Sequence, residues 1–192
     1  AWGYVLRSPH ARADILSIDV SAASSAPGVL RVLTGKDWDA EGYGGLPCED
    51  LNKSRPDGKP IYQPYCPALV SGQVKLVGDY VAFVVAETYN QARDAAELIA
   101  VEYAPQPAVA DIESALAPGA PIVWPDCADN ISFVEEKGDA AAVAAAFERA
   151  DHVVRQRIVN NRVTAVAMEP RGCIGDYDKR QNRYTIYTGL QN

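Results

Sequence analysis

The sequence predicts an α/β (α+β) fold, and three observations support this class. Residues 80–104 have the pattern of an apolar strand, an amphipathic helix and a second strand in succession. Further along, an alanine-rich helix precedes several runs typical of strands. The composition, 48% hydrophobic and 22% charged over 192 residues, suits a globular protein with a sizeable core. This length fits one large domain or two small ones.

The first third of the chain is predicted to contain two strands and a helical turn. Residues 13–20 alternate apolar with polar side chains, which is the period of a half-buried strand. Ser21 is placed to cap a short helical turn that Pro27-Gly28 ends, and residues 29–33 form the second strand. Residues 34–66 follow as a long irregular excursion rich in Gly, Pro, Asp and Asn, which predicts packing or a function for this segment.

The middle third carries the sharpest secondary-structure signal. Strands are predicted at residues 69–77 and 80–86, the latter buried on both faces. Thr88 and Gln91 form a capping box for a helix. The inward face of that helix is apolar and consists of Ala92, Ala95, Ala96 and Ile99. A further strand begins at 101–103, so we expect a right-handed crossover that joins two parallel strands.

The last part begins with a proline-rich stretch, with five prolines between residues 105 and 129, which predicts an extended connector. Asp139 is placed to cap the alanine-rich helix, whose predicted inward face is Ala142, Val143, Ala146, Phe147 and Ala150. Four strands should follow, at residues 152–159, 163–168, 173–177 and 183–188, with a polar turn at 178–182.

Charge and composition argue against several classes of partner. A net charge of −7 disfavours nucleic acid, which requires a clustered positive surface. The apolar runs are far shorter than the ~20 residues that a bilayer requires, so we expect no membrane partner. No secretory signal is visible, which favours the cytoplasm, with the periplasm as the alternative.

The cysteines, Cys48, Cys66, Cys127 and Cys173, lack CxxC spacing, and four unpaired thiols are predicted.

Most motifs that could carry chemistry have a plainer explanation. Thr34-Gly35-Lys36 lacks the spacing of a phosphate-binding loop, which predicts a turn. His10 and His152 are the only histidines and lie far apart, so no metal site is expected on them. Carboxylates such as Glu135-Glu136 and the Asp37/Asp39 pair fit solvated loop charges. No nucleophile motif is present, and we predict neither a catalytic residue nor a metal ligand in this chain.

The final stretch contains Asn160-Asn161-Arg162, Met168-Glu169-Pro170-Arg171-Gly172 and, near its end, Gln191. Glu169 follows apolar neighbours, and we expect a structural ion pair with Arg162 or Arg171, since a buried charge needs a partner. The alternative is that Glu169 lies on the solvent-exposed face of a strand. Gln191 taken alone is a polar strand end.

This tail and several earlier runs, in order and approximate spacing, resemble the large subunit of the molybdenum hydroxylases (xanthine dehydrogenase, aldehyde oxidase and aerobic carbon monoxide dehydrogenase). The earlier runs include Leu6-Arg7-Ser8-Pro9-His10-Ala11, Ala26-Pro27-Gly28-Val29, Leu33-Thr34-Gly35-Lys36-Asp37, Val77-Gly78-Asp79-Tyr80-Val81 and Val101-Glu102-Tyr103. The resemblance implies an α/β hammerhead domain over residues 1–104, a proline-rich connector over 105–129, and the truncated start of the first molybdopterin-binding α/β domain over 130–192.

The resemblance also implies a site and partners. Gln191 would bind the molybdopterin cofactor by facing the apical oxo ligand of molybdenum, where a neutral amide can donate a hydrogen bond without adding charge. The complete enzyme would hydroxylate an aldehyde, N-heterocycle or CO-like small-molecule substrate with oxygen from water. Electrons would pass to iron–sulfur clusters and FAD on partner domains or subunits. The remainder of the large subunit is a further implied partner.

The family's glycine-rich cofactor loop and its glutamate general base lie beyond the runs matched here, so this fragment alone should be inactive. Two other functions stay open at this point. One is a non-catalytic hammerhead module for binding or assembly. The other is a small hydrolase that uses loop carboxylates from residues 37–57.

Overall fold

The computed structural model describes residues 1–47, 52–127, 129–161, 163, 166–169 and 171–189, and it contains two compact units, Ala1–Gly138 and Asp139–Asn192. The elements of the first unit are β1 (Trp2–Arg7), β2 (Ala13–Asp19), α1 (Ser21–Ser24), β3 (Val29–Thr34), α2 (Gly35–Glu41), β4 (Gln73–Val74), β5 (Tyr80–Ala86), α3 (Tyr89–Glu97), β6 (Ala100–Pro105) and α4 (Ile112–Leu116). Those of the second are α5 (Ala140–Glu148), β7 (Cys173–Asp178) and β8 (Arg183–Thr188). This mixed α/β content confirms the predicted fold class.

The first unit is built on two antiparallel sheets, with strand orders β1-β5-β3 and β4-β2-β6. The predicted parallel crossover is therefore wrong, because β5 and β6 lie in different sheets. Both edges of β5 are already hydrogen-bonded, to β1 on one side and β3 on the other. The strand after α3 consequently pairs with β2, from Ile18 opposite Val101 to Ala13 opposite Pro105.

Strand β5 separates two apolar clusters, which confirms that it is buried on both faces. On one face Ala82, Val84 and Ala86 pack with the alanines of α3, and on the other Val81 packs with Ala13 and Val74. The inward face of α3 consists of the predicted alanines, Ala92, Ala95 and Ala96, whereas Ile99 is buried but lies beyond the end of the helix. Small side chains on both sides let the helix and the sheet approach closely. The Thr88 side chain accepts a hydrogen bond from the Gln91 N–H, as predicted. The second contact of the predicted capping box differs, because Gln91 Oε1 accepts from the Thr88 hydroxyl and not from its N–H.

Three predictions in the first unit need correction. Ser21 is the first residue of α1 and does not cap it, and the Asp19 carboxylate accepts the hydrogen bond from its N–H. The predicted turn at Thr34 is the start of α2, because the Asp37 carboxylate accepts hydrogen bonds from both the N–H and the hydroxyl of Thr34, each at 2.8 Å. The strand predicted at 69–77 is reduced to β4, since the Asp79 carboxylate accepts from two backbone N–H groups after Val74 and folds the chain into a turn.

The second unit forms fewer regular elements than predicted. Asp139 caps α5 by accepting a hydrogen bond from the Ala142 N–H at 2.8 Å, and the β7–β8 hairpin is present with its polar turn. The predicted inward face of α5 is not buried, and Phe147 is 59% exposed. Residues 152–159 form no strand, nor do the described residues of 163–168. A strand requires a hydrogen-bonded neighbour, and the described part of this unit supplies one only to β7 and β8.

Among the residues that the structure describes, no helix has the length and apolar character needed to cross a membrane. Cys127 and Cys173 are free thiols, as predicted, whereas Cys48 lies outside the described residues.

Candidate functional site

The β7–β8 hairpin brings the two halves of the C-terminal motif together. Its strands pair in regular antiparallel register, from Asp178 opposite Arg183 at the turn to Cys173 opposite Thr188 at the open end. The turn is fixed by the Asp178 carboxylate, which accepts hydrogen bonds from the N–H groups of Arg180 and Gln181. Asn182, at φ 49°, completes the turn. The left-handed conformation of Asn182 is one that this residue type tolerates better than most.

Beyond the open end of the hairpin the two segments remain adjacent. The Thr188 hydroxyl donates a hydrogen bond to the carbonyl oxygen of Gly172 over 3.2 Å. The Glu169 Oε1 atom lies 3.8 Å from the position that a Cβ atom on Gly189 would take. Gly172 and Glu169 therefore lie beside Thr188 and Gly189, respectively. Gln191 itself lies outside the described residues, and its predicted role as a cofactor contact stays a prediction.

The predicted ion pair of Glu169 is not formed with Arg171, and Arg162 lies outside the described residues. Glu169 is exposed, as the alternative expected, but it lies in a bend and not on the face of a strand. The neighbouring Met168 is fully exposed, at 103% of its reference area. Several other large apolar side chains of this unit are also more than half exposed, namely Val143, Phe147, Val154, Ile158, Val159, Val163, Val166, Ile174, Tyr184, Ile186 and Tyr187. The β7–β8 hairpin, helix α5 and the described residues between them thus expose an apolar surface.

An open cavity of about 810 Å³ lies in the second unit, between the end of α5 and the chain that follows it. Its lining is Phe147, Glu148, Val153, Val154 and Arg155. One acid, one base and three apolar side chains do not form a recognisable catalytic set. The cavity belongs to the same exposed apolar surface.

The other residues that the sequence singled out have structural roles. Asp37 caps α2, and the hydrogen bonds from the Thr34 N–H and hydroxyl hold the pKa of that carboxyl below its usual value. Glu135 forms ion pairs with Lys53 at 3.1 Å and Lys137 at 3.3 Å. The His10 ring lies 4.8 Å from the ring of Tyr103. Within the described ranges no group of three or more His, Cys, Asp or Glu side chains could hold a metal ion.

Sequence reasoning missed a polar cluster around Arg55 in the first unit. The Arg55 guanidinium donates to Asp129 Oδ1 at 2.7 Å, to Cys127 Sγ at 3.3 Å and to the carbonyl oxygen of Ile131. The hydrogen bond from Arg55 holds the pKa of Asp129 below its usual value. Because these partners lie more than 70 residues apart, no local pattern could have revealed the cluster. These contacts hold the loop that contains Arg55 against the loop of residues 127–131, and we call this pair of loops with its contacts the clamp.

A second contact closes the same pair of loops. The Tyr62 hydroxyl donates to Asp126 at 2.6 Å, and burial together with that hydrogen bond raises the pKa of Tyr62. The Tyr62 backbone also forms two hydrogen bonds with Ser132. The Tyr62 N–H donates to the Ser132 carbonyl oxygen, and the Ser132 hydroxyl donates to the Tyr62 carbonyl oxygen. A phenol that donates to a carboxylate and has a raised pKa is poorly suited to act as a base at neutral pH, so we assign it to the clamp.

Comparison with known protein families gives two matches. The family described as "Aldehyde oxidase and xanthine dehydrogenase, a/b hammerhead domain" matches residues 1–107. The family described as "Molybdopterin cofactor-binding domain" matches residues 123–192, the part that contains the hairpin.

Individual relatives point the same way. The chain is 32% identical to the nicotine 6-hydroxylase large subunit of Paenarthrobacter nicotinovorans, over 97% of this chain and 22% of the relative. It is 30% identical to the carbon monoxide dehydrogenase large chain of Afipia carboxidovorans, over 99% of this chain and 24% of that relative. Among solved structures, quinoline 2-oxidoreductase from Pseudomonas putida 86 superposes with a TM-score of 0.81 at 34% identity, over 98% of this chain and 23% of that one. The chain thus spans about a quarter of the length of these relatives.

Proposed function

Because this chain belongs to the aldehyde oxidase and xanthine dehydrogenase family, we propose that it is the N-terminal portion of the molybdopterin-binding subunit of an oxidoreductase. Two family matches in the expected order, over residues 1–107 and 123–192, support this proposal. Within it we assign residues 1–104 to the hammerhead domain, 105–129 to the connector and 130–192 to the start of the first cofactor-binding domain. The observation that carries the proposal is the hairpin, which aligns the Glu169 segment with the segment leading to Gln191.

The residues at the open end of the hairpin leave room for a large, hydrogen-bonding cofactor. Among the described residues, a Cβ atom on Gly172 would meet nothing within 4 Å, and one on Gly189 would meet only the Glu169 carboxylate. Glycines at such positions leave backbone groups accessible to a ligand. Gln191 adds a neutral amide that can both donate and accept. Together these groups would form one wall of the cofactor site.

Molybdopterin, when bound, would supply the redox chemistry by which a carbon is hydroxylated with oxygen from water. The part of this chain would be to hold and orient the cofactor through the Gln191 amide, which donates a hydrogen bond without adding a charge. Lysine at this position would add a charge, and an ionised glutamate would lack the donor. The substrate would be an aldehyde, an N-heterocycle or a CO-like molecule, and electrons would leave to iron–sulfur and FAD partners in the cytoplasm.

The proposal is tested on the complete purified enzyme that contains this chain. Its molybdenum and pterin contents should be close to one each per chain. Replacing Gln191 by Ala should lower the turnover rate or the metal content by about 10–100-fold, the range for residues that support a metal site from outside its ligand set. Gln181→Ala, in the exposed turn of the hairpin, is the matched control and should leave both unchanged. A native protein without molybdenum and pterin would refute the proposal.

One observation favours a second candidate, a non-catalytic binding or assembly module. All buried apolar side chains among the described residues belong to the first unit, between Ala13 and Cys127. A unit with its own core could act without a cofactor. The molybdenum content of the native protein separates the two functions, since the module requires none.

A further inference from the structure

The clamp joins two stretches of the chain that match different families. Its residues Arg55 and Tyr62 lie within the hammerhead match. The groups that they contact in the other loop lie after residue 123, where the match to the cofactor-binding domain begins. The first residues of the cofactor-domain match are therefore fastened to the hammerhead, within the same compact unit, Ala1–Gly138.

Arg55 makes the central contact of the clamp and is largely buried. Its side chain is 11% exposed, and its guanidinium donates to Asp129, to Cys127 and to the carbonyl oxygen of Ile131. Cys127 is itself buried. A guanidinium presents five donors in a fixed fork, so it can hold several groups at once. Because a buried charge is costly once it loses its partners, this contact resists opening.

The contact continues beyond the clamp toward the end of the first unit. Ser54 and Val134 form an isolated antiparallel backbone bridge. The Lys53 ammonium pairs with Glu135 at 3.1 Å and lies 4.6 Å from the centre of the Phe133 ring. The loop that contains Arg55 thus follows the start of the cofactor-domain match over several residues.

The segment that the clamp holds is also braced internally. The Asn130 side chain accepts from the Val123 N–H at 2.9 Å. It donates to the carbonyl oxygens of Ala115 at 3.1 Å and Pro121 at 3.0 Å. These hydrogen bonds tie the proline-rich stretch to the clamp, so a displacement at the clamp would move the braced segment and would not be absorbed by a flexible linker.

We propose that Arg55 is a positioning residue for the cofactor-binding domain: by holding Cys127, Asp129 and Ile131 on the hammerhead, it fixes the point from which the chain enters that domain. The inference rests on the proposed function, in which the domain holds molybdopterin. It gives a role to the irregular excursion at 34–66, whose residues around Arg55 receive the start of the next domain.

Positioning of this kind acts on the rate of the reaction. A displacement of about 1 Å that a distant mutation causes can reduce a reaction rate about 100-fold. In the proposal Arg55 touches neither cofactor nor substrate. Its loss should therefore lower the turnover of each loaded site and leave substrate binding nearly unchanged.

The test uses the complete, cofactor-loaded enzyme with Arg55→Ala and Arg55→Lys. Arg55→Ala should lower kcat per bound molybdenum about 10-fold with KM changed less than about twofold. It should also raise the exchange rates of the Tyr62 and Val134 amides, which donate across this contact, by about 10–100-fold. Arg55→Lys keeps the charge but not the fork, so it should show most of both effects. Lys59→Ala, in the same loop with a side chain 75% exposed, is the control and should match the wild type.

The same measurements separate positioning from a purely structural role. Faster exchange of Tyr62 and Val134 with kcat per bound molybdenum unchanged would overturn the proposal, as would unchanged exchange. The amides of β5 report on the hammerhead core and should keep their wild-type rates. Faster exchange there would mean a loss of overall stability and would equally overturn the proposal.

If Arg55→Ala fails to fold, the milder Tyr62→Phe, which removes the hydrogen bond to Asp126, decides by the same readouts. A wild-type enzyme without molybdenum and pterin would refute the proposed function and this inference together. A loaded wild type with unaffected variants would refute only the role of Arg55.

Discussion

The two units of this chain form their local elements in the same way but bury them differently. Helices α3 and α5 are both capped by a side chain that accepts from the N–H three residues later. Helix α3 then buries its apolar face against β5, whereas Phe147 on α5 stays 59% exposed. Caps and turns are thus sufficient to start an element, but burial depends on a second element that covers it.

The largest expected difference comes from placing a carboxylate on corresponding strands of the two units. Val84 of β5 is fully buried, whereas Ile186 of β8 is 69% exposed. Val84→Asp should destabilise the first unit by about 3–5 kcal/mol, because it leaves an unpaired charge in the core. Ile186→Asp should change the unfolding free energy by less than about 0.5 kcal/mol. Chemical denaturation measures both, and similar losses would show that the second unit is as well packed as the first.

A second comparison uses glycine. A Cβ atom on Gly35 would lie 2.2 Å from the carbonyl oxygen of Val70, whereas one on Gly175 would meet no atom of the described residues within 4 Å. Gly35→Ala should therefore cost about 1–3 kcal/mol, since backbone must move to relieve the clash. Gly175→Ala should be neutral or slightly stabilising, because alanine has less freedom to lose on folding. Thermal unfolding of the two variants tests this, and a neutral Gly35→Ala would contradict the close approach of α2 to residues 70–71.

A third comparison removes the caps of the two helices. Thr88→Ala should lower the unfolding free energy by about 1 kcal/mol, because α3 is part of the core. For a chain of this size that corresponds to a melting temperature lower by about 2–4 °C. Asp139→Ala should instead raise hydrogen exchange within α5 and leave the main transition in place, since that helix buries no residue. A shift of the main transition by Asp139→Ala would show that α5 stabilises the fold.

The smallest expected effect is a pH dependence at the start of α2. Hydrogen bonds from Thr34 hold the pKa of Asp37 below its ordinary value of 3.8 in the folded protein. A carboxyl whose folded pKa is lowered stabilises the fold above the unfolded pKa, and this contribution is lost as the pH falls through the folded pKa. Asp37→Asn should therefore reduce stability at neutral pH and flatten its fall below about pH 4. Asp94→Asn, on the exposed face of α3, controls for the change of charge. An unchanged acid limb in Asp37→Asn would exclude this linkage.

Sequence patterns were reliable where the determining contacts are local. Helix α3 with its cap, the cap of α5 and the hairpin turn at 179–182 all depend on neighbours within a few residues. The start of α2 was missed because Asp at the third helical position replaces the usual Glu or Gln of a capping box. Asp can accept the same hydrogen bonds as Glu at this position, so a capping-box pattern that includes Asp would have predicted the start of α2.

Sequence patterns failed where the determining contacts are distant. The crossover between β5 and β6 was wrong because pairing with β1 and β3 had already filled both edges of β5. The clamp of Arg55 on Cys127 and Asp129 carries no local signature at all. For the candidate site, the hairpin was predicted from its turn and strand pattern, whereas its relation to Glu169 emerged only from the structure. The role of Gln191 stays a prediction.

The pairing of the first strand has a consequence during synthesis. Trp2 pairs with Ala86, and Ala13 on β2 pairs with Pro105. At about 5–20 residues per second, β1 waits roughly 4–17 s for its partner to be translated. During that time a strand rich in aromatic and aliphatic side chains has an unpaired edge, which is the state most open to aggregation or chaperone capture. Slow or stalled translation before residue 86 should therefore reduce the yield of folded protein more than a stall after residue 105.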